Sequence, residues 1–227
     1  MNLQELLAKY PELYHMAEAG SWENIKRLGL LSTTALLDHC KITGAGREKY
    51  ELSWRPKLMN IPCGELGEIV IRDQIPMDPS ELEKCLKNGT TTQDWYKLIN
   101  GKVFFWAEFE DLKKLLSAKQ YKNEPHLVIT VKTEALLKCY IKKVRLSQIN
   151  SGSVYYDHKK FNSALPRDYD TFKEVKEYNW NKIKEVTVEY GIPDILDVAI
   201  SAVRWIAHKQ NYDSPSFEVL DRLWPLH

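Results

Sequence analysis

The chain has 227 residues, 44% of them hydrophobic and 28% charged, with a net charge of +1. That composition suits one ordinary globular domain and offers no strongly basic face for duplex DNA. The N-terminus MNLQELLAKYPELYH carries no basic leader with an apolar stretch behind it, and no apolar run approaches the length of about 18 residues that spans a bilayer.

In chain order, residues 2–9 read as a short helix ended by Pro11, and Leu13-Tyr14-His15-Met16 as a short strand. Ser21 is placed to cap a helix to Leu28, its hydroxyl accepting from the backbone N–H of Asn24. Trp22, Ile25 and Leu28 then share one face. Gly29 follows as a left-handed residue past the helix end, and Thr33 to His39 as a second helix. Residues 41–64 are broken by Gly44, Gly46, Pro56, Pro62 and Gly64. Ile69 to Ile71 reads as a strand. Ser80 is expected to cap a helix to Leu86, and Thr92 another to Leu98. Asn100-Gly101 turns into a strand from Lys102 to Trp106. A helix from Glu110 to Ala118, a strand from His126 to Val131, a helical turn from Glu134 to Cys139 and a strand from Ile141 to Leu146 follow. Residues 150–170 read as a long loop or lid. Beyond it come a helix from Thr171 to Tyr178 and a strand from Ile183 to Val188, with Ile183, Glu185 and Thr187 on one face. Leu196 to Ala207 reads as a last short strand or helix, and the tail after Lys209 as loose, with Trp224 its docking point.

Helices and strands alternate irregularly, which predicts an α+β fold with antiparallel sheets rather than a doubly wound one. The expected layout is one domain over 1–208 and a C-terminal tail over 209–227. Cys40, Cys63, Cys85 and Cys139 are widely spaced and form no CxxC pair. Neither a disulfide framework nor a zinc site is expected from them, and the histidines show no metal-ligand spacing. Reduced thiols then imply a cytoplasmic setting.

Three segments carry a resemblance. Leu13-Tyr14-His15-Met16, the helix from Ser21 and Gly29-Leu30-Leu31-Ser32 together resemble the first motif of ADP-ribosyltransferases, a strand ending in His, a short helix, then GLLS. The opening looks closest to the DarT-like toxins that modify nucleic acid. It is also similar to a bacterial and fungal domain family of unknown function. Val103-Phe104-Phe105-Trp106 running into Glu110-Asp111-Leu112 resembles the second motif, and Ile183 to Val188 before Gly191-Ile192-Pro193 resembles the third.

The resemblance implies split antiparallel sheets with flanking helices and transfer of ADP-ribose from NAD. Glu185 would be the catalytic carboxylate, holding the ribose 2′-hydroxyl or acting as base. His15 would bond the ribose hydroxyls, with Ser32 or Ser21 supplying the contact that Ala17, two after the His, does not. Phe105, Trp106 or Tyr14 would stack on nicotinamide. Arg55 or Arg72 would meet the diphosphate, because a guanidinium matches phosphate bidentately; chain order favours Arg55. Asn150, Ser151, Tyr155 and Tyr156 would face an acceptor, a nucleobase in single-stranded DNA or RNA, stacked on aromatic rings. An antitoxin protein is a further implied partner; no membrane is. A binding module for NAD, ADP-ribose or another nucleotide on the same fold, and an interaction domain keeping only the scaffold, are the alternatives. His15 as a core histidine, Glu185 as an exposed strand carboxylate and the arginines as surface ion-pair partners are the purely structural readings.

Overall fold

Leu13, His15 and Ala17 alternate with Tyr14, Met16 and Glu18 along β1 (Glu12–Glu18), so the strand presents two unlike faces. The apolar run of β6 (Pro125–Lys132) has Leu127, Val128, Ile129 and Val131 all buried, as a strand covered on both faces must. These two pair antiparallel along the whole of β1, from Glu12 opposite Lys132 to Glu18 opposite His126. They sit in the middle of an eight-stranded sheet in the computed structural model, which describes residues 3–154, 165–179, 181–208 and 215–225.

On one side of that centre, β6 pairs with β11 (Ala199–His208), which pairs with β12 (Ser216–Trp224). On the other, β1 meets β5 (Lys102–Trp106), followed by β9 (Glu185–Glu189), β7 (Val144–Ser147) and β8 (Lys173–Glu174). Every neighbouring pair in the sheet is antiparallel, so the molecule is α+β. One face carries the main core, with Leu13, Ala17, Phe105, Ile129, Val186 and Val188. The other carries Met16, Val128 and Leu112, the last from α7 (Phe109–Leu116).

Two small antiparallel strand pairs lie outside the sheet. β2 (Leu30–Leu31) pairs with β10 (Gly191–Ile192), joining segments far apart in sequence. Gly29, between α2 (Trp22–Leu28) and β2, has φ +85° and ψ 174°, a positive-φ conformation that favours glycine. Its place is set by Pro193, whose Cα would lie 2.4 Å from an added Cβ. β3 (Met59–Pro62) pairs only with β4 (Glu68–Ile71) and rests on α3 (Thr33–His39) through Leu37, Ile61, Ile69 and Ile71.

Several expectations are corrected. Cys40 and Cys63 are joined as a disulfide with Cα atoms 4.5 Å apart, because the α3 end and the β3 end meet in that small core. The inference of a reduced setting loses its basis with that bond. The Ser21 hydroxyl does not cap α2; it donates to Glu18 Oε2 at 3.1 Å. Asp78, not Ser80, caps α5 (Pro79–Glu83), accepting from Ser80 N. Thr91, not Thr92, caps α6 (Thr92–Asn100), in a reciprocal box with Asp94. The broken stretch contains α4 (Gly44–Glu51). Residues 171–178 form no α-helix but 3-10 turns around β8, which is recruited by β7. The segment expected to be a loose tail carries β12, an edge strand with Trp224 partly buried against the core. Among the described residues no helix is long and apolar enough to cross a membrane.

Candidate functional site

The sheet parts at its centre. β1 and β5 share the single pair Tyr14–Trp106 and then diverge, while β1 keeps its full ladder with β6. One hydrogen bond closes the fork: His15 Nδ1 donates to Phe104 O at 2.7 Å. Beyond it the carbonyl of Met16 accepts from Arg72 Nη1 at 3.4 Å, where a neighbouring strand would otherwise stand. A cavity of about 600 Å³ opens from this fork, within the range of small-molecule sites. His15, Arg72, Phe104, Trp106, Asp111 and Glu185 are among the residues that border it.

His15 is half-buried. Desolvation drives its imidazolium down to about 4 against the pull of the Phe104 carbonyl, and the charge of Arg72 lowers it further. The ring is therefore neutral near pH 7. With Nδ1–H committed to Phe104, Nε2 is its acceptor nitrogen, suited to a ligand hydroxyl.

Glu185 begins β9, in a cross-strand row with Trp106 on one side and Ser147 on the other. Its side chain is 4% exposed. Both carboxylate oxygens accept from Ser151 N, at 3.2 and 3.1 Å, and Oε2 accepts from the Ser151 hydroxyl at 2.6 Å. Burial pushes the carboxyl up to about 7, opposed by the Ser151 bonds and by the charges of Arg167 and Lys184. A carboxylate poised there exchanges protons at neutral pH.

The two arginines separate. Arg55 is buried and its guanidinium is committed: Nε donates to Arg72 O at 3.0 Å, Nη2 to Asn100 Oδ1 at 2.9 Å, and Nη1 to Tyr50 O. Burial lowers it to about 10, against the pull of Asp73. Arg72 is half-buried, with its guanidinium 4.7 Å from the centre of the Tyr121 ring and 4.0 Å from Asp73. Tyr121 in turn donates to Asp73 at 2.6 Å. Chain order favoured Arg55, but the geometry presents Arg72 as the cation with donors left for an anion.

The other expected residues divide likewise. Ser32 borders the cavity, but its hydroxyl caps α3, accepting from Ala35 N at 3.2 Å. Phe105 is 1% exposed and belongs to the core, so its ring is not a free stacking face. Trp106 is half-buried, with the Lys184 ammonium 5.5 Å from its ring. Tyr14 does not border the cavity; it packs on Phe109 and donates to Glu12. Asn150 and Ser151 both border it, but Ser151 is fully buried and its hydroxyl donates to Glu185. Tyr155 and Tyr156 lie outside the described residues.

Sequence reasoning passed over Phe104, Tyr121 and Asp111. Asp111 is 3% exposed, with Lys184 at 2.6 Å and Lys114 at 2.8 Å from Oδ1. Burial resists its ionisation, yet those two ammonium groups hold its carboxyl below the ordinary range. Its place in the first turn of α7 was legible; its two lysine partners, one from before β9, were not. No cluster of three or more His, Cys, Asp or Glu suited to a metal ion occurs among the described residues.

No curated protein and no solved structure matches the chain. Residues 11–199 match the model of a family of unknown function, DUF7002, and the chain belongs to that family.

Proposed function

We propose that the protein is an NAD-dependent ADP-ribosyltransferase, and that the parted sheet is the cofactor cleft of an ADP-ribosyltransferase-like fold. The observation that carries this reading is that His15 and Glu185, far apart in sequence, both border one cavity together with Arg72. In this reading Nε2 of His15 accepts from a ribose hydroxyl and Arg72 faces the diphosphate. Trp106 or Phe104 lies against nicotinamide. The nicotinamide–ribose bond breaks with its electron pair leaving on nicotinamide. The acceptor nucleophile bonds to the ribose carbon and gives its proton to Glu185. The acceptor proposed is a nucleobase in single-stranded DNA or RNA, and an antitoxin protein is a proposed partner.

A second reading, binding of NAD or ADP-ribose without transfer, draws on two observations. Ala17 offers no hydroxyl beside His15, and Ser32, the substitute, spends its hydroxyl on a helix cap. Calorimetry with NAD followed by an assay for free nicotinamide separates the two. Transfer predicts binding and nicotinamide release, with release abolished in Glu185→Ala at unchanged circular dichroism. Binding without release favours the module, and no binding at millimolar NAD refutes both.

A further inference from the structure

A buried arginine stands behind the carboxylate. Arg167 is 0% exposed, and its backbone is pinned on both sides, its N–H donating to Cys85 O at 2.9 Å and its carbonyl accepting from Lys87 N at 3.1 Å. Its guanidinium grips the turn that follows β7: Nη2 donates to Asn150 O at 3.2 Å and to Ser153 O at 2.7 Å, and Nη1 donates to Leu165 O at 2.9 Å. Asn150 O and Ser151 N belong to one peptide unit. In a trans peptide the C=O and the N–H are coplanar and point in opposite directions. A guanidinium held on that oxygen therefore aims the Ser151 N–H away from itself, and the Glu185 carboxylate lies there at 3.1 and 3.2 Å.

We propose that Arg167 is a positioning residue of the site, fixing the Glu185 carboxylate through the Asn150–Ser151 peptide unit. The assignment rests on Glu185 being the proton acceptor of the reaction proposed above. The cation polarises the peptide carbonyl, which strengthens the N–H as a donor to the anion on its far side. The same turn delivers the Ser151 hydroxyl, so orientation and charge stabilisation come from one anchored loop. Arg167 touches neither the carboxylate nor the cavity wall in this arrangement; its effect is relayed. Its direct electrostatic pull favours the ionised carboxylate as well, in the same direction.

The test follows Glu185 by NMR on labelled protein. In the parent chain, the Glu185 Cδ resonance and the Ser151 amide proton are expected to titrate with one shared midpoint. In Arg167→Gln that midpoint is expected to rise by about one pH unit, because a partner cation is lost. An unchanged Glu185 midpoint in Arg167→Gln, or a Ser151 amide that ignores the carboxylate, overturns the proposal. Should circular dichroism show that Arg167→Gln does not fold, the parent decides: Arg167 Nη resonances that titrate together with Glu185 support the relay, and resonances that do not overturn it. Nicotinamide release is read alongside. The variant is expected to lose kcat with little change in KM for NAD, and its acid limb is expected to move up. If the parent releases no nicotinamide, the transferase reading fails while the NMR arms still judge the relay.

Discussion

Replacing Glu185 by Gln should make the protein more stable at alkaline pH while silencing it. Folding carries the carboxyl from its ordinary 4.5 to about 7, chiefly through burial. The folded state thus holds the proton more tightly than the unfolded chain. The associated stability is present in full below about pH 4.5 and is lost as pH climbs through about 7. A rise of that size corresponds to roughly 3 kcal/mol, an upper figure because Gln keeps only one oxygen for Ser151. Gln matches the protonated acid in shape and charge, so the two proteins should be nearly equal at pH 4.5. By pH 8.5 the variant should lead by up to about 3 kcal/mol. Urea unfolding at pH 4.5, 6, 7 and 8.5, read as midpoint and slope, measures the gap. A gap that does not widen with pH would refute the claim that this carboxylate is buried against its own ionisation.

The arginines should part in the same assays. Arg55→Ala strands the oxygens of Asn100, Arg72 and Tyr50 and is expected to cost about 3 kcal/mol. Arg72→Ala should stay within about 1 kcal/mol of the parent yet weaken NAD binding at least about tenfold, and similar stability losses in both would erase the distinction. After denaturation without reductant, a maleimide should label two of the four cysteines, whereas four labels would exclude the Cys40–Cys63 bond. Reduction should lower stability by about 3 kcal/mol, as for a closed loop of this 23-residue separation. Gly29→Ala meets both a φ of +85° and the Pro193 backbone, so a loss above about 2 kcal/mol is expected in urea, and a neutral outcome would mean that the β2–β10 contact is looser than described.

What the chain declares locally, it declares well. α3 falls at Thr33–His39 and β5 at Lys102–Trp106, as their side-chain periodicity and flanking residues predict. Gly44 and Gly46 read as breakers yet lie inside α4, which is held by Arg47 bridging to Glu51 and Asp38. β12 shows only weak alternation because its pairing comes from one partner, β11, at the sheet edge. The disulfide depends on the end of α3 and the end of β3 meeting in space, which sequence spacing does not encode. At the candidate site, His15 and Glu185 were legible as residues. Their surroundings were not, because Ser151 reaches the carboxylate across 34 positions and Arg167 grips the carbonyl of the peptide before it. Choosing between Arg55 and Arg72 required knowing which guanidinium had already spent its donors on carbonyls.

The fork between β1 and β5 makes ligand reach a matter of where a zipper stops. Because β1 is fully laddered to β6, it can leave β5 without unravelling. Extending the ladder to Met16 opposite Phe104, two residue steps beyond the Tyr14–Trp106 pair, would shorten the opening by about 7 Å. The stopping point of that ladder thus sets the length of the opening, with the surrounding layers unaltered.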